Sequence, residues 1–244
     1  IDKKKNKIII KKSDIKGGEL SLKSMKTSQF ISSLLLIGPY LKGGLKLNLP
    51  NKIYSNSYVN TTVQMLKKCG ASIKVSDDYI IVDEGKYLNP YTEIESDWSS
   101  ASYLFLSFLF SELDQITLSS ISEKSIQPDR SLINIFSIFG IITRFDRDKI
   151  YLKRIKNIDF PKQLEFDFSN NPDLFLTIVI VCLGLGIKLI GSGIKTLQYK
   201  ESNRIQSMQH ELIKFNCDLY MKSDDLIYLN PTPLIKTNDI ISIS

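Results

Sequence analysis

Leu174-Phe175-Leu176-Thr177-Ile178-Val179-Ile180-Val181-Cys182-Leu183-Gly184-Leu185-Gly186-Ile187 is the longest apolar run of this 244-residue chain. At 14 residues, with two glycines and a stop at Lys188, it falls short of the roughly 20 that a bilayer span requires. It reads instead as a helix buried on all sides. Pro172-Asp173 opens it, a favoured placement for proline. Outward from this helix, Leu164–Phe168 reads as a strand before it and Lys188–Ile190 as a strand after it. The loop Gly191–Tyr199 leads to a second helix from Lys200 to about Phe215. Its apolar stripe is Ile205, Met208, Leu212 and Phe215, so only one side needs cover. A hairpin turning at Asp224-Asp225 closes the unit.

The same order occurs twice upstream. In the middle copy Glu93–Ser96 is a strand, Asp97 caps the apolar helix Trp98–Leu113, and Ile116–Leu118 is a strand. Pro128 then starts a helix over Asp129–Phe139, Gly140 ends it, and a hairpin turns at Arg147-Asp148. In the first copy a Gly17-Gly18 turn separates strands Ile8–Lys12 and Glu19–Leu22. Thr27-Ser28-Gln29 precedes the apolar helix Phe30–Leu41, Gly43-Gly44 breaks the chain, and Leu45–Leu49 is a strand. Helix Tyr58–Cys69 stops at Gly70, and the hairpin Ser72–Val75 and Tyr79–Val82 turns at Asp77-Asp78. From Asp78 to Asp148 is 70 residues and from Asp148 to Asp225 is 77, the excess fitting the longer loop Gly191–Tyr199. The chain therefore predicts an α/β fold of three strand–helix–strand–helix–hairpin units. Each has one wholly apolar and one amphipathic helix, which suits a bundle of buried helices inside a shell of sheets.

Composition narrows the function. Hydrophobic residues make up 43% and charged residues 24%, as in an ordinary globular chain. A net charge of +6, with lysines scattered rather than striped, suits anionic ligands and gives no case for nucleic acid. Cys69, Cys182 and Cys217 are odd in number and set in apolar runs, so they read as reduced core thiols of a cytoplasmic protein. With His210 as the single histidine and no clustered cysteines, a zinc site is not expected. No signal peptide or membrane span is read.

Chemistry is expected at the helix starts, where free N–H groups and the positive dipole end favour anions. The stretch Lys200-Glu201-Ser202-Asn203-Arg204 puts two cations and a carboxylate within five residues. If the helix includes Lys200, that residue and Arg204 share a face, and Glu201 points elsewhere. On its own such a run is usually a solvated first turn. At the start of the apolar helix either Asn171 or Asp173 could be the cap, and an aspartate freed from capping could serve as a base.

Five blocks, in order, change the weight of these readings. Lys200-Glu201-Ser202-Asn203-Arg204-Ile205 resembles the K-E-[ST]-[DN]-R-[LI] signature of the 5-enolpyruvylshikimate-3-phosphate synthase family. Thr27-Ser28-Gln29-Phe30 is similar to its S-S-Q-[FY], and Ser55-Asn56-Ser57-Tyr58-Val59 to its S-[RKQ]-P-Y-[IV]. Asp97-Trp98-Ser99-Ser100-Ala101-Ser102-Tyr103 is close to D-[WAP]-S-[SA]-A-[SA]-[YF]. Asn171-Pro172-Asp173 matches the Pro-Asp that carries the family's catalytic aspartate.

The resemblance implies a two-domain enolpyruvyl transferase fold, an inside-out α/β barrel of such units, here partial. Residues 1–92 would belong to the first domain and 93–244 to the second. It implies transfer of the enolpyruvyl group of phosphoenolpyruvate to the 5-hydroxyl of shikimate 3-phosphate, without metal or cofactor, by a protein that is a monomer at full length. Asp173 would be the base near that hydroxyl and Glu201 a proton donor to the methylene. Thr27, Ser28, Gln29, Ser55, Tyr58, Asp173 and Lys200 would bind shikimate 3-phosphate, and Gln29 and Arg204 phosphoenolpyruvate. Departures are Ser57 for the family's proline, Thr27 for its first serine, and Thr196 where many members have a ligand-touching asparagine. The family's Gly-rich Lys-Ser and Arg segment, its later first-domain Arg block and its C-terminal Arg and Lys blocks do not occur in these residues, so the chain is expected to be the middle of a longer enzyme. Two alternatives are an inactive remnant that binds shikimate 3-phosphate, and a UDP-N-acetylglucosamine enolpyruvyl transferase. The latter family needs a reactive loop cysteine and lacks the Lys-Glu block.

Overall fold

The computed structural model describes residues 2–4, 7–9, 13–22, 27–50, 55–88 and 94–231. The chain divides into two compact units. One holds Ile1–Ser24, Phe30–Lys52 and Thr62–Tyr91; the other holds Met25–Gln29, Ile53–Thr61 and Thr92–Ser244.

In the first unit β1 (Asp2–Lys4) pairs antiparallel with β2 (Lys7–Ile9). The expected strand Ile8–Lys12 is represented by Ile8 and Ile9, since 10–12 lie outside the described residues. Next come β3 (Lys16–Ser21), α1 (Gln29–Ile37) with a 3-10 turn at Gly38–Tyr40, and β4 (Lys42–Asn48). Helix α2 (Asn56–Lys68), which belongs to this unit from Thr62 on and to the other up to Thr61, and the hairpin β5 (Ile73–Val75) and β6 (Tyr79–Val82) follow. The sheet order is β3-β4-β6-β5, with β3 parallel to β4 and the other pairs antiparallel. Leu45 faces Val82 and Leu47 faces Ile80 across β4 and β6, and all four are buried, as period-2 alternation requires. Ser32 and Thr62 join α1 to α2 through a 2.8 Å hydroxyl hydrogen bond.

Both glycine pairs expected as breaks lie inside strands instead. Gly17-Gly18 sits in β3 at a register shift, and Gly43-Gly44 sits in β4 with positive φ. A Cβ on Gly17 would run into the Gly44 carbonyl oxygen, and one on Gly44 would stand 2.5 Å from the Val82 oxygen. Three backbones come together there because two side chains are absent, so these glycines mark a close approach and a bulge, not a turn.

In the second unit α3 (Trp98–Phe110), β7 (Gln115–Ser119), α4 (Leu132–Ile138), β8 (Ile141–Asp146) and β9 (Lys149–Arg154) form the middle copy. Then come β10 (Gln163–Asp167), α5 (Phe175–Leu185), β11 (Lys188–Ser192), α6 (Arg204–Ile213), β12 (Asp218–Ser223) and β13 (Leu226–Asn230). The sheet β10-β11-β13-β12 repeats the order and directions of β3-β4-β6-β5, while the middle sheet β7-β9-β8 has three strands. Its missing first strand is the one expected at Glu93–Ser96. Glu93 lies outside the described residues, and 94–97 hold no strand. The Ser96 N–H bonds the Ser120 carbonyl at 2.6 Å.

The core of this unit is aromatic and aliphatic, with Phe105 edge-on to Phe136 and Phe168 edge-on to Phe175. As the sequence requires, α5 is buried on nearly every side, and its Thr177 hydroxyl is satisfied by Ser102 of α3 at 2.7 Å. Asp97 caps α3 by accepting from the Ser99 and Ser100 N–H groups. Residues 128–131 form a 3-10 turn ahead of α4, with Pro128 at its start. Helix α6 begins at Arg204 and not at Lys200, because the Asn203 side chain accepts the Gln206 N–H at 3.2 Å and ends the preceding loop.

Candidate active site

The site is built where five helix starts, those carrying Tyr58, Ser99, Asp129, Asp173 and Arg204, meet the loop of Lys200 in the second unit. Pro172–Leu174 forms a 3-10 turn ahead of α5, and neither candidate cap performs capping. The Asn171 amide donates to Asp129 Oδ1 at 3.0 Å, and Asp173 Oδ1 accepts from Arg204 Nη1 at 2.5 Å with Lys200 Nζ at 3.3 Å. Lys200 and Arg204 thus converge on one carboxylate, although Lys200 is outside the helix. Loop geometry, not an i, i+4 spacing, brings them together. Burial pushes the Asp173 carboxyl up, but Lys200 and Arg204 outweigh it and hold it below the usual aspartate value. Asp173 is therefore a charged carboxylate masked by two cations.

Tyr58, at the start of α2, lies on the other side of this cluster. The Lys200 ammonium stands 5.6 Å from the centre of its ring. Its hydroxyl donates to Asp129, with oxygens at 3.2 and 3.4 Å, and is also within hydrogen-bonding reach of Asp173. Burial, then the charges of Asp129 and Asp173, push the phenol far above its ordinary value, so it stays protonated. Ser57, which departs from the family's proline, donates its hydroxyl to the Asn170 carbonyl at 2.6 Å and ties the start of α2 to the loop before Asp173.

Glu201 is different. Its side chain is 73% exposed, 3.7 Å from Arg204 Nη2. Its own backbone N–H and the Gln29 side chain hold its carboxyl below the usual range. Gln29 in turn donates its backbone N–H to Thr27 Oγ1 at 3.3 Å. Ser28 and Ser55 are buried, and Ser55 has a left-handed backbone, φ +55°. A cavity of about 450 Å³ opens beside the cluster, lined among others by Tyr58, Ser99, Gln127, Asp129, Asp173 and Arg204. Thr27, Ser28, Gln29, Ser55, Lys200 and Glu201 are not among its lining residues.

The residue that the sequence reading passed over is Asp129. It is 1% exposed and accepts from the Ser99 hydroxyl, the Asn171 amide and Tyr58. A signal was present: Pro128-Asp129 repeats the Pro-Asp of Pro172-Asp173 at a helix start. Among the described residues no group of three or more His, Cys, Asp or Glu side chains could hold a metal ion, and no helix is long and apolar enough to cross a membrane. Cys182 and Cys217 are buried and Cys69, expected in the core, is half-buried. Burial pushes the Cys182 thiol up to about 12.

A family model described as EPSP synthase (3-phosphoshikimate 1-carboxyvinyltransferase) matches residues 1–243. A 3-phosphoshikimate 1-carboxyvinyltransferase of Bacteroides fragilis is 37% identical over 216 residues, covering 88% of this chain and 52% of the relative. One of Methanosphaera stadtmanae is 30% identical over 233 residues, covering 92% and 53%. The chain thus spans about half the length of these curated relatives. Among solved structures, an EPSP synthase from Acinetobacter baumannii superposes with a TM-score of 0.60 at 22% identity, over 92% of this chain and 50% of that one. The enolpyruvyl transferase NikO from Streptomyces tendae gives 0.52 at 11% identity, over 86% and 48%. These likenesses identify the fold as that of enolpyruvyl transferases.

Proposed function

Because this chain belongs to the EPSP synthase (3-phosphoshikimate 1-carboxyvinyltransferase) family, we propose that its site serves the transfer of the enolpyruvyl group of phosphoenolpyruvate to the 5-hydroxyl of shikimate 3-phosphate. The observation that carries this reading is Asp173 held between Lys200 and Arg204, with the Tyr58 hydroxyl beside it. The reaction needs a base for the hydroxyl proton, an acid to protonate the enol methylene, and cations for two phosphorylated substrates. Protonation at the methylene makes the adjoining carbon electrophilic. The 5-hydroxyl oxygen adds there as its proton leaves, and the tetrahedral intermediate then loses phosphate and one methyl proton.

In this reading Asp173 takes the hydroxyl proton. Lys200 binds shikimate 3-phosphate, with Thr27, Ser28, Gln29, Ser55 and Tyr58. Arg204 forks onto an anionic group of phosphoenolpyruvate, which Gln29 also touches. Incoming anions draw Lys200 and Arg204 off Asp173, which removes the charges that depress it and makes it a stronger base when substrate is present. Glu201 is the proton donor to the methylene. Its carboxyl lies low in the free chain, and the negative charge of bound phosphoenolpyruvate raises it toward the protonated form. We assign residues 1–92 to part of a first domain and 93–244 to part of a second, a cytoplasmic location, and a monomer at full length. The division between Tyr91 and Thr92 supports the boundary, with Met25–Gln29 and Ile53–Thr61 grouped in the second unit. Burial of Cys182 and Cys217 speaks against a reactive-cysteine transferase.

Asp173→Ala in the full-length protein tests the reading. Phosphate release with both substrates should fall by a factor on the order of 10² to 10⁴. Calorimetry should show shikimate 3-phosphate binding retained or tightened, because Lys200 and Arg204 lose their internal counter-charge. Turnover near the parental rate would remove Asp173 from the mechanism.

A further inference from the structure

Asp129 draws its partners from three separate parts of the second unit. Its oxygens accept from Ser99 in the first turn of α3, from Asn171 two residues before Asp173, and from Tyr58 at the start of α2. At 1% exposure it has no solvent to replace any of them. A buried carboxylate costs several kcal/mol in desolvation unless it is well hydrogen-bonded, so this arrangement is costly for mere packing. The Tyr58 hydroxyl has one proton and two carboxylates within reach, Asp129 and Asp173. Given to Asp173, that proton would occupy the proposed base. Given to Asp129, as the 3.2 Å bond has it, it leaves Asp173 available, and the Tyr58 oxygen can then take part in a further bond only as an acceptor.

We propose that Asp129 is a positioning residue of this site, holding the Tyr58 hydroxyl proton in a hydrogen bond and fixing the Asp173 turn through Asn171. Tyr58 then meets a bound ligand as an acceptor, and the group it recognises is a ligand hydroxyl, not an anionic oxygen. The division of labour follows: cations Lys200 and Arg204 select phosphate and carboxylate, and Tyr58 selects the neutral ring substituents. This rests on the reading of the site given above.

The test compares the full-length protein with Asp129→Asn, Tyr58→Phe and the double variant, with Ser99→Ala as a milder change that keeps the charge. Asp129→Asn and Tyr58→Phe should each weaken shikimate 3-phosphate by about tenfold, as loss of a hydrogen bond to a charged group does. The double variant should be weaker than either single one by far less than the product of their losses, because the Tyr58 bond to Asp129 is lost in both and counts once. KM for phosphoenolpyruvate should stay within about twofold, a selectivity that general loosening of the fold does not give. Losses that multiply in the double variant, or parental affinity in Asp129→Asn, would overturn the proposal. Should Asp129→Asn fail to fold, Ser99→Ala decides: about threefold weaker binding is expected, and unchanged binding overturns. If the parent binds no shikimate 3-phosphate, the proposed function fails, and exchange of the Tyr58 hydroxyl proton with water, followed by NMR, still decides the hydrogen bond. Slow exchange in the parent and fast exchange in Asp129→Asn supports it, and equal exchange refutes it.

Discussion

Two aspartates of this site answer acid in opposite directions. Asp173 has a folded-state pKa below its unfolded one, so its contribution to stability is present above about pH 4 and is lost as pH falls through the depressed value. Asp129 is raised, chiefly by burial. Its ionised form is disfavoured by folding, so its contribution is present below the ordinary aspartate value and is lost as pH rises from there through the raised one. Asp173→Asn should therefore be less stable than the parent at pH 7, and the gap should be narrower at pH 3. Urea unfolding at the two pH values measures it; a gap of constant size would mean that Lys200 and Arg204 do not act on Asp173. At this scale the cluster of Asp173, Lys200, Arg204 and Tyr58 was legible because each residue sits in a short recognisable block. For Asp129 the only local signal was Pro128-Asp129 repeating Pro172-Asp173; its role was not legible, since its partners at 58, 99 and 171 are distant in sequence and only folding brings them to one carboxylate.

Among elements, α3 shows how a helix without a terminal glycine is closed. Arg154, the last residue of β9, donates to the Phe108, Leu109, Ser111 and Leu113 carbonyls at 2.5 to 3.2 Å. Its guanidinium lies 5.3 Å from the centre of the Phe108 ring. The orphan carbonyls of the last turn, which a glycine cap would usually satisfy, are gathered by one side chain from another element. Arg154→Met should cost about 2 to 4 kcal/mol, since several carbonyls lose a charged donor. Arg154→Lys should recover only part of it, because an ammonium lacks the fork. Chemical denaturation measures both, and a loss under about 0.5 kcal/mol, the range of an ordinary surface change, would refute the capping role. Element order was legible in the sequence because apolar periodicity and turn residues are local. The ends were less so: α3 stops at Phe110 where the run suggested Leu113, and α6 starts four residues after Lys200. Caps such as Asn203 and Arg154 set those limits, and their partners are not adjacent.

For the molecule as a whole, the repeat is confirmed by sheet order more firmly than by residue spacing. Two copies share one four-stranded order, and the middle one lacks its first strand among the described residues. Congruent hairpin turns at Asp78, Asp148 and Asp225 were enough to count the copies, because a hairpin is fixed by its own few residues. The strand expected at Glu93–Ser96 failed because pairing depends on a neighbour that the local pattern cannot report. Nor could local pattern show that Ile53–Thr61 groups with the second unit.

That last grouping bears on dissection of the gene. A cut after residue 92 looks natural from sequence order, yet the 93–244 piece would lack Tyr58, Ser57 and Thr61. The Ser57 and Thr61 hydroxyls reach the Asn170 and Ile126 carbonyls, and Tyr58 reaches Asp129. Such a piece should unfold at lower temperature than the uncut chain, and a synthetic peptide covering 53–61, added in trans, should raise its melting point with saturable dependence on peptide. A scrambled peptide of the same composition is the control; equal effects of both would show that the segment is a passenger on its neighbours.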